Sequence, residues 1–288
     1  MTTLTATRPA SFPTAGARTL GGARRAALAT LARRRLSLSA RTPREILVPL
    51  LTPILFALVI APALARMVHS VGPGLDYQTF VAVGTVGLLV PLSCMFAGIG
   101  VIVDRDRGAR PELLAAPVPR TLVVVGNLAV ALVVSALQLL TLLLAALVRG
   151  ADFHTSLAGI GWFTAAAVLF TVAMYGIAEI LANRTPTQEE YIGATPAVAI
   201  LPWFLAGSLF PISALPAVLT GIAKALPLTH ALALMRYGLL DRHGTGLHDI
   251  WGLTNTTAMA ALSLTVVAGY AAVLTAAAIR VFSRSAVH

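Results

Sequence analysis

Six apolar stretches, each about as long as a bilayer is thick, recur along this 288-residue chain and constrain its fold more than any other feature. Crossing a hydrocarbon core of about 30 Å takes about 20 apolar residues in a helix. The stretches are 46–64, 80–103, 121–148, 157–181, 191–210 and 258–282. The expected fold is therefore an all-α integral membrane protein with six transmembrane helices. Pro196 and Pro202 interrupt the fifth stretch, and a kinked span survives where neighbours satisfy the freed carbonyls. Only 11% of residues are charged, against about a quarter in soluble domains.

Positive charge orients the spans. With the N-terminus inside, sixteen of the 21 Lys and Arg residues fall on the cytoplasmic side, nine of them before the first span. Both termini are expected in the cytoplasm, in the inner membrane. No apolar core precedes a small-residue cleavage site near the start, as a signal peptide requires. The net charge of +10 follows the spans, which argues against nucleic acid as a partner and for contact with membrane lipid.

Residues 1–19, rich in Ala, Thr and Pro, read as a disordered cytoplasmic arm. Residues 20–38 differ: Leu28, Leu31 and Leu38 recur at helical spacing, while Arg24, Arg25, Arg33, Arg34 and Arg35 cluster elsewhere. That pattern predicts a basic amphipathic helix in the inner interface, or simply a positive anchor for the first span. Between the fifth and sixth spans, Pro211, Pro216 and Pro227 break an apolar segment into halves too short to cross. Short re-entrant helices on the outer side are expected there, since irregular backbone at membrane depth needs a cover of protein or water.

The chain has no GxxxxGK[ST], GxSxG or HExxH, so the routes to ATP hydrolysis, serine hydrolysis and metalloproteolysis that those motifs carry are excluded. Cys94 stands alone, without a disulfide partner or a Cys/His zinc pattern. His243 and His248, near Asp241 and Asp249 in a Gly-containing loop, read as surface residues rather than metal ligands, and no metal or other cofactor is expected on this chain. Polar residues inside the spans are few. Glu179 and Gln138, with Asn127 at the start of the third span, are the notable ones. An intramembrane ionisable group is a candidate site, although Glu179 lies a turn from Asn183 and Arg184 and within reach of the inner interface. Gln138 is expected to bond between helices. Gly84, Gly87, Gly98 and Gly100 allow close helix approach, at a dimer seam or within the bundle.

Seven charged residues crowd the connection DRDRGARPELLAAPVPR, 104–120. Its three acids, Asp104, Asp106 and Glu112, do nothing for orientation, and mixed sign suits contact with a soluble partner. The segment resembles the cytoplasmic connection of the ABC-2 type transporter permeases, the membrane half of drug and polysaccharide exporters. Asp104, Asp106 and Gly108 match that family's acid-x-acid-x-Gly pattern, Glu112, Leu113 and Leu114 its glutamate with leucines, and Pro117 and Pro119 its Pro-x-Pro. Ala109 stands where the family usually has threonine. A second stretch, LFPISALPAVLTGIAKALPLTHALALMR, is similar to the family's signature after the fifth span through Phe210, Pro211, Pro216, Pro227, Leu228, Thr229 and Arg236.

The resemblance covers about residues 20–285 and implies a permease domain over 20–288. It implies a drug-like exporter subunit that pairs with a second permease copy, identical or related, and docks two copies of a cytoplasmic ATP-binding subunit. ATP and Mg belong to that subunit. Coupling to it is expected from the Arg24–Arg35 cluster and from Asp104 through Pro119, Arg105 and Arg107 included, with 211–236 as an outer gate. Mostly apolar spans suit a hydrophobic or amphiphilic substrate. A lipid-linked glycan is the alternative within transport, and a non-transporting scaffold the alternative outside it.

Overall fold

The computed structural model describes residues 29–30, 51, 54–60, 62–63, 77–106, 108, 119–151, 153, 155–241 and 243–284. The described secondary structure is helical, and no strand occurs among these residues. The elements are α1 (Tyr77–Asp106), α2 (Arg120–Val148), α3 (Leu157–Arg184), α4 (Gln188–Leu205), α5 (Ala217–Ala225), α6 (Pro227–Leu239), α7 (Thr245–Trp251) and α8 (Thr256–Arg284).

Local chemistry sets most of their limits. Pro119 precedes α2. Ser156 caps α3 by accepting from Gly159 N at 3.1 Å, and Thr187 caps α4 by accepting from Glu190 N at 3.3 Å. Hydroxyl caps of this kind satisfy amides that have no intrahelical partner. Glu189 and Glu190 in the first turn of α4 also favour the positive end of the helix dipole. Thr185 takes an extended conformation because Pro186 follows it, and α3 stops there. Leu226 is extended for the same reason, with ψ at 132° before Pro227, so α5 and α6 meet at 82°. Gly207 (φ 78°) ends the path out of α4, and Gly244 and Gly252 (φ 67° and 65°) bracket α7.

Among the described residues four helices, α1, α2, α3 and α8, are long and apolar enough to cross a membrane, and the bent α5–α6 pair raises the number to five if it counts as one span. About half of the expected first span lies outside the described residues, which include a π-helical turn at Phe56–Ile60. The expected fifth span becomes α4, 18 residues long. With Gln188, Glu189 and Glu190 at its start and two prolines inside, it falls short of the other spans in apolarity. Its C-terminal boundary moves from 210 back to Leu205, where the chain turns through Gly207.

Burial ranks the spans: 61% of the spanning stretch of α1 and of α3 is buried inside the chain, against 33% for α2 and 22% for α8. The first two therefore form the centre, with α3 packed against α8, α6, α1 and α2. Glycines admit the closest approaches. A Cβ on Gly159 would meet the Gly238 carbonyl oxygen, and one on Gly176 would meet the Leu274 backbone, so α3 touches α6 and α8 nearly backbone to backbone. The α1 glycines serve the bundle itself. A side chain on Gly84 would strike Ser208 and Arg236, one on Gly87 would crowd Leu228, and one on Gly98 would strike the Tyr191 hydroxyl.

Candidate functional site

Polar groups gather at the two ends of the bundle and in a few pairs between them. At one end, α1 runs past its apolar part into Asp104, Arg105 and Asp106. Arg105 Nη1 donates to Thr185 O at 2.9 Å, and Nη2 donates to Pro186 O at 2.8 Å. The guanidinium thus fastens the start of the 104–120 connection to the α3–α4 junction. Asp106 is exposed and lies 3.4 Å from Arg105 Nε. Gly108 has φ 71° with nothing near the place of a Cβ, so glycine is favoured there by backbone conformation and not by space. Its N–H donates to Arg105 O at 3.1 Å and closes the helix. Pro119 is exposed at the head of α2. Arg107, Glu112, Leu113 and Pro117, like Arg24, Arg25, Arg33, Arg34 and Arg35, lie outside the described residues.

Between the ends, Ser93 of α1 donates to Gln138 Oε1 of α2, the interhelical bond expected of that amide. Asn127 is half-buried. Glu179 is fully buried within the chain. Its carboxylate accepts from Tyr175 Oη at 2.5 Å and from Asn183 Nδ2 at 3.1 Å, all within α3. Next to it, Tyr191 of α4 donates to Met95 O of α1 at 2.9 Å.

At the opposite end, the segment after α4 folds back over the start of α1. Arg236 is 7% exposed, although an unpaired buried guanidinium is costly. The fold answers with backbone carbonyls. Nη1 donates to Gly207 O at 2.8 Å, while Nη2 donates to Ser208 O at 3.0 Å and to Phe80 O at 3.3 Å. Its carbon Cζ lies 3.4 Å from the centroid of the Phe80 ring, a cation–π geometry. Trp203 Nε1 donates to Gly84 O at 3.0 Å, so the end of α4 is tied to the same turn of α1.

A cavity of about 200 Å³ opens beside Arg236, lined among others by Phe80, Pro211, Thr229, Asp241 and Asp249. Asp241 Oδ2 accepts from Thr245 Oγ1 at 2.6 Å and Gly246 N at 3.3 Å, and Asp249 Oδ2 accepts from Ser213 Oγ at 3.0 Å. The expected outer-gate residues divide here. Pro211, Thr229 and Arg236 share the cavity, and Leu228 is buried against Gly87. Phe210 is exposed, and Pro216 and Pro227 head α5 and α6. Sequence reasoning treated Asp241 and Asp249 only as metal candidates and passed over Phe80, Trp203, Tyr191 and Ser213. A second, apolar cleft of about 250 Å³ lies between α2 and α3, with Leu139, Leu140, Phe163 and Ala167 among its walls.

The chain is similar in sequence to known proteins. Over 184 residues, 60% of the chain, it is 28% identical to Nodulation protein J of Sinorhizobium fredii (strain NBRC 101917 / NGR234), spanning 66% of that protein, just under two thirds. Over 194 residues, 64% of the chain, it is 26% identical to Nodulation protein J of Rhizobium leguminosarum bv. trifolii, spanning 70% of it. Residues 26–240 match the family described as ABC-2 type transporter. With three quarters of its length in that match and several apolar helices able to cross a membrane, the chain belongs to the ABC-2 type transporter family and is a multi-pass membrane protein.

Proposed function

We propose that the chain is the membrane-spanning subunit of an ATP-driven exporter in the cytoplasmic membrane, moving a hydrophobic or amphiphilic molecule outward. Both termini and the 104–120 connection face the cytoplasm, and the 206–256 segment faces outward. Two copies of a separate ATP-binding subunit supply ATP, Mg and hydrolysis, and a second permease copy completes the path.

The observation that carries this reading is the pair of fastenings on α4. At its N-terminal end the Thr185–Pro186 turn is held by Arg105, and at its C-terminal end the Gly207–Ser208 turn is held by Arg236. A partner that displaces the charged connection therefore pulls on α4, and α4 pulls on the backbone that Arg236 locks. Mixed charge at Asp104, Arg105 and Asp106 supplies charge-assisted contacts to such a partner. The apolar cleft between α2 and α3 suits the apolar part of a substrate entering from lipid. The polar cavity beside Arg236 favours, as a second reading, an amphiphile with a polar head, such as a glycolipid.

The test is purification of tagged protein from its own membranes with identification of what accompanies it. A stoichiometric soluble subunit carrying a Walker A motif, lost from the Asp106→Arg/Glu112→Arg variant, is the expected result. A chain that purifies without any nucleotide-binding partner in several mild detergents would move the scaffold reading ahead, and export that is indifferent to the charge reversals would overturn the coupling role of the 104–120 connection.

A further inference from the structure

The only lysine of the chain is Lys224, near the end of α5, and three hydrogen bonds fix how deep it lies. His230 Nε2 donates to Lys224 O at 2.9 Å, and its Nδ1 then accepts from Ser263 Oγ of α8 at 3.2 Å. Tyr270 Oη, also of α8, donates to the next carbonyl, Ala225 O, at 3.0 Å. At 1.5 Å per residue, Ser263 and Tyr270 stand about 10 and about 21 Å along α8 from Thr256. The whole of α8, 29 residues, is about 43 Å long, about 13 Å more than the hydrocarbon core. Shared equally, the excess puts one boundary about 7 Å along the helix and the other about 37 Å along, level with Arg280, which is exposed. Helix side chains lean toward their own N-terminus, so Lys224 and Ala225 sit between the levels of Ser263 and Tyr270. Those levels are about 4 and about 14 Å inside the hydrocarbon, whichever end of α8 faces outward.

At that depth Lys224 is nonetheless exposed on the surface of the chain, and among the described residues its ammonium has neither an ion pair nor a hydrogen bond. A lysine charge within the hydrocarbon is costly, and the stem carries it only part of the way to the interface. A counter-charge from outside these residues offsets that cost. Beside the ammonium, α5 turns an apolar stripe outward through Val218, Gly221, Ile222 and Ala225, with Val218 77% exposed. A cation next to an apolar stripe selects one chemistry. A neutral head leaves the charge unmatched, an organic cation is repelled, and a free inorganic anion gains nothing from the stripe. We propose that Lys224 and the exposed face of α5 form a binding site for an anionic amphiphile, whose phosphate or carboxylate meets the ammonium and whose tail lies along Val218 and Ile222. The anionic group belongs either to a membrane phospholipid or to the exported molecule, and the second case rests on the exporter reading above.

NMR on the full-length protein in nanodiscs, with lysine isotopically labelled at Cε, tests it through a single lysine signal that Lys224→Gln removes. In phosphatidylcholine discs, dodecyl phosphate at low mole fraction should shift that signal saturably. Half-saturation should come at a concentration lower than that of dodecyl maltoside by about tenfold or more, which is about 1.4 kcal/mol. Replacing part of the phosphatidylcholine by phosphatidylglycerol separates the two sources. A signal already shifted in those discs, and no longer moved by dodecyl phosphate, assigns the site to phospholipid. A signal that still responds as in phosphatidylcholine assigns it to the head of the exported molecule. A signal that dodecyl phosphate leaves in place overturns the proposal, as does one that dodecyl maltoside moves equally. So does one that inorganic phosphate alone moves as far, because the ammonium then stands in open water. Neither ATP nor a partner is present, so these outcomes leave the exporter reading to its own purification test.

Discussion

Replacing Arg236 by methionine removes the guanidinium and keeps most of the side-chain length, and its effect can be worked from the contacts. Three carbonyls lose a donor: Gly207 O, Ser208 O and Phe80 O. Phe80 O lies in the first turn of α1 and keeps its place in the helical ladder, where the N–H four residues on is its regular partner. Gly207 and Ser208 lie outside any regular helix, so their oxygens are left in a buried turn at about 1–3 kcal/mol each. Loss of the stacked Phe80 contact adds up to about 2 kcal/mol. Against this stands relief from desolvating a charge, several kcal/mol for a buried ion, and water entering the adjacent cavity recovers part of the rest. A net local loss of about 2–4 kcal/mol follows, which is about a 30- to 1,000-fold shift toward opening of the turn, at 1.4 kcal/mol per tenfold. Hydrogen exchange resolved by mass spectrometry, on protein in nanodiscs, reads that opening directly at residues 206–212. Protection there should fall by more than tenfold in Arg236→Met, and by less in Arg236→Lys, whose single ammonium reaches fewer carbonyls. Protection within threefold of wild type in Arg236→Met would refute the argument that these hydrogen bonds hold the turn.

Other perturbations probe the remaining contacts. Gly98→Ala drives a methyl into the Tyr191 hydroxyl and should cost about 1–3 kcal/mol, seen as a lower melting temperature. Adding Tyr191→Phe removes the obstructing oxygen, and the double variant should melt above the sum of the two losses, the non-additivity of groups in contact. Gln138→Leu breaks the bond with Ser93, yet the loss should be about 0.6 kcal/mol, the usual worth of such a bond between membrane helices. A loss several times larger would mean that the amide holds more than one helix pair. Arg105→Met frees the Thr185 and Pro186 carbonyls at the solvent-facing end, where water replaces the guanidinium. Its melting temperature should stay near wild type, while export measured with the ATP-binding subunit present falls, a split that separates coupling from folding.

The spans were legible because lipid imposes a length and an apolarity that any window of residues can display. The stretches 80–103, 121–148, 157–181 and 258–282 lie within α1, α2, α3 and α8. Prolines announced the break between α5 and α6, since Pro227 acts on Leu226 next to it. Contacts between distant segments were hidden. Arg236 stood out as a charge, but its partners are carbonyls at 80, 207 and 208, and a carbonyl is the one group every residue has. The glycines of α1 announced close approach without naming what approaches, and the answer was the Gly207–Ser208 turn, Leu228 and Tyr191 within the same chain. Glu179 looked able to reach an interface from its distance to Asn183 and Arg184 along the sequence. Its burial within the chain goes with the packing of α1, α6 and α8 on α3, which no local pattern encodes.

The Tyr191–Met95 bond sits in the first turn of α4, and this position makes the helix a lever with unequal arms. At 1.5 Å per residue the short arm back to Gln188 is about 5 Å and the long arm to Leu205 about 21 Å. A tilt of about 10° about that fulcrum moves the near end by under about 1 Å and the far end by nearly 4 Å, which is ample to part a hydrogen bond of 2.8 Å at Gly207. Small strokes at the charged end thus become large ones at the opposite end, and spin labels at residues 188 and 206 should report displacements in a ratio of about one to five.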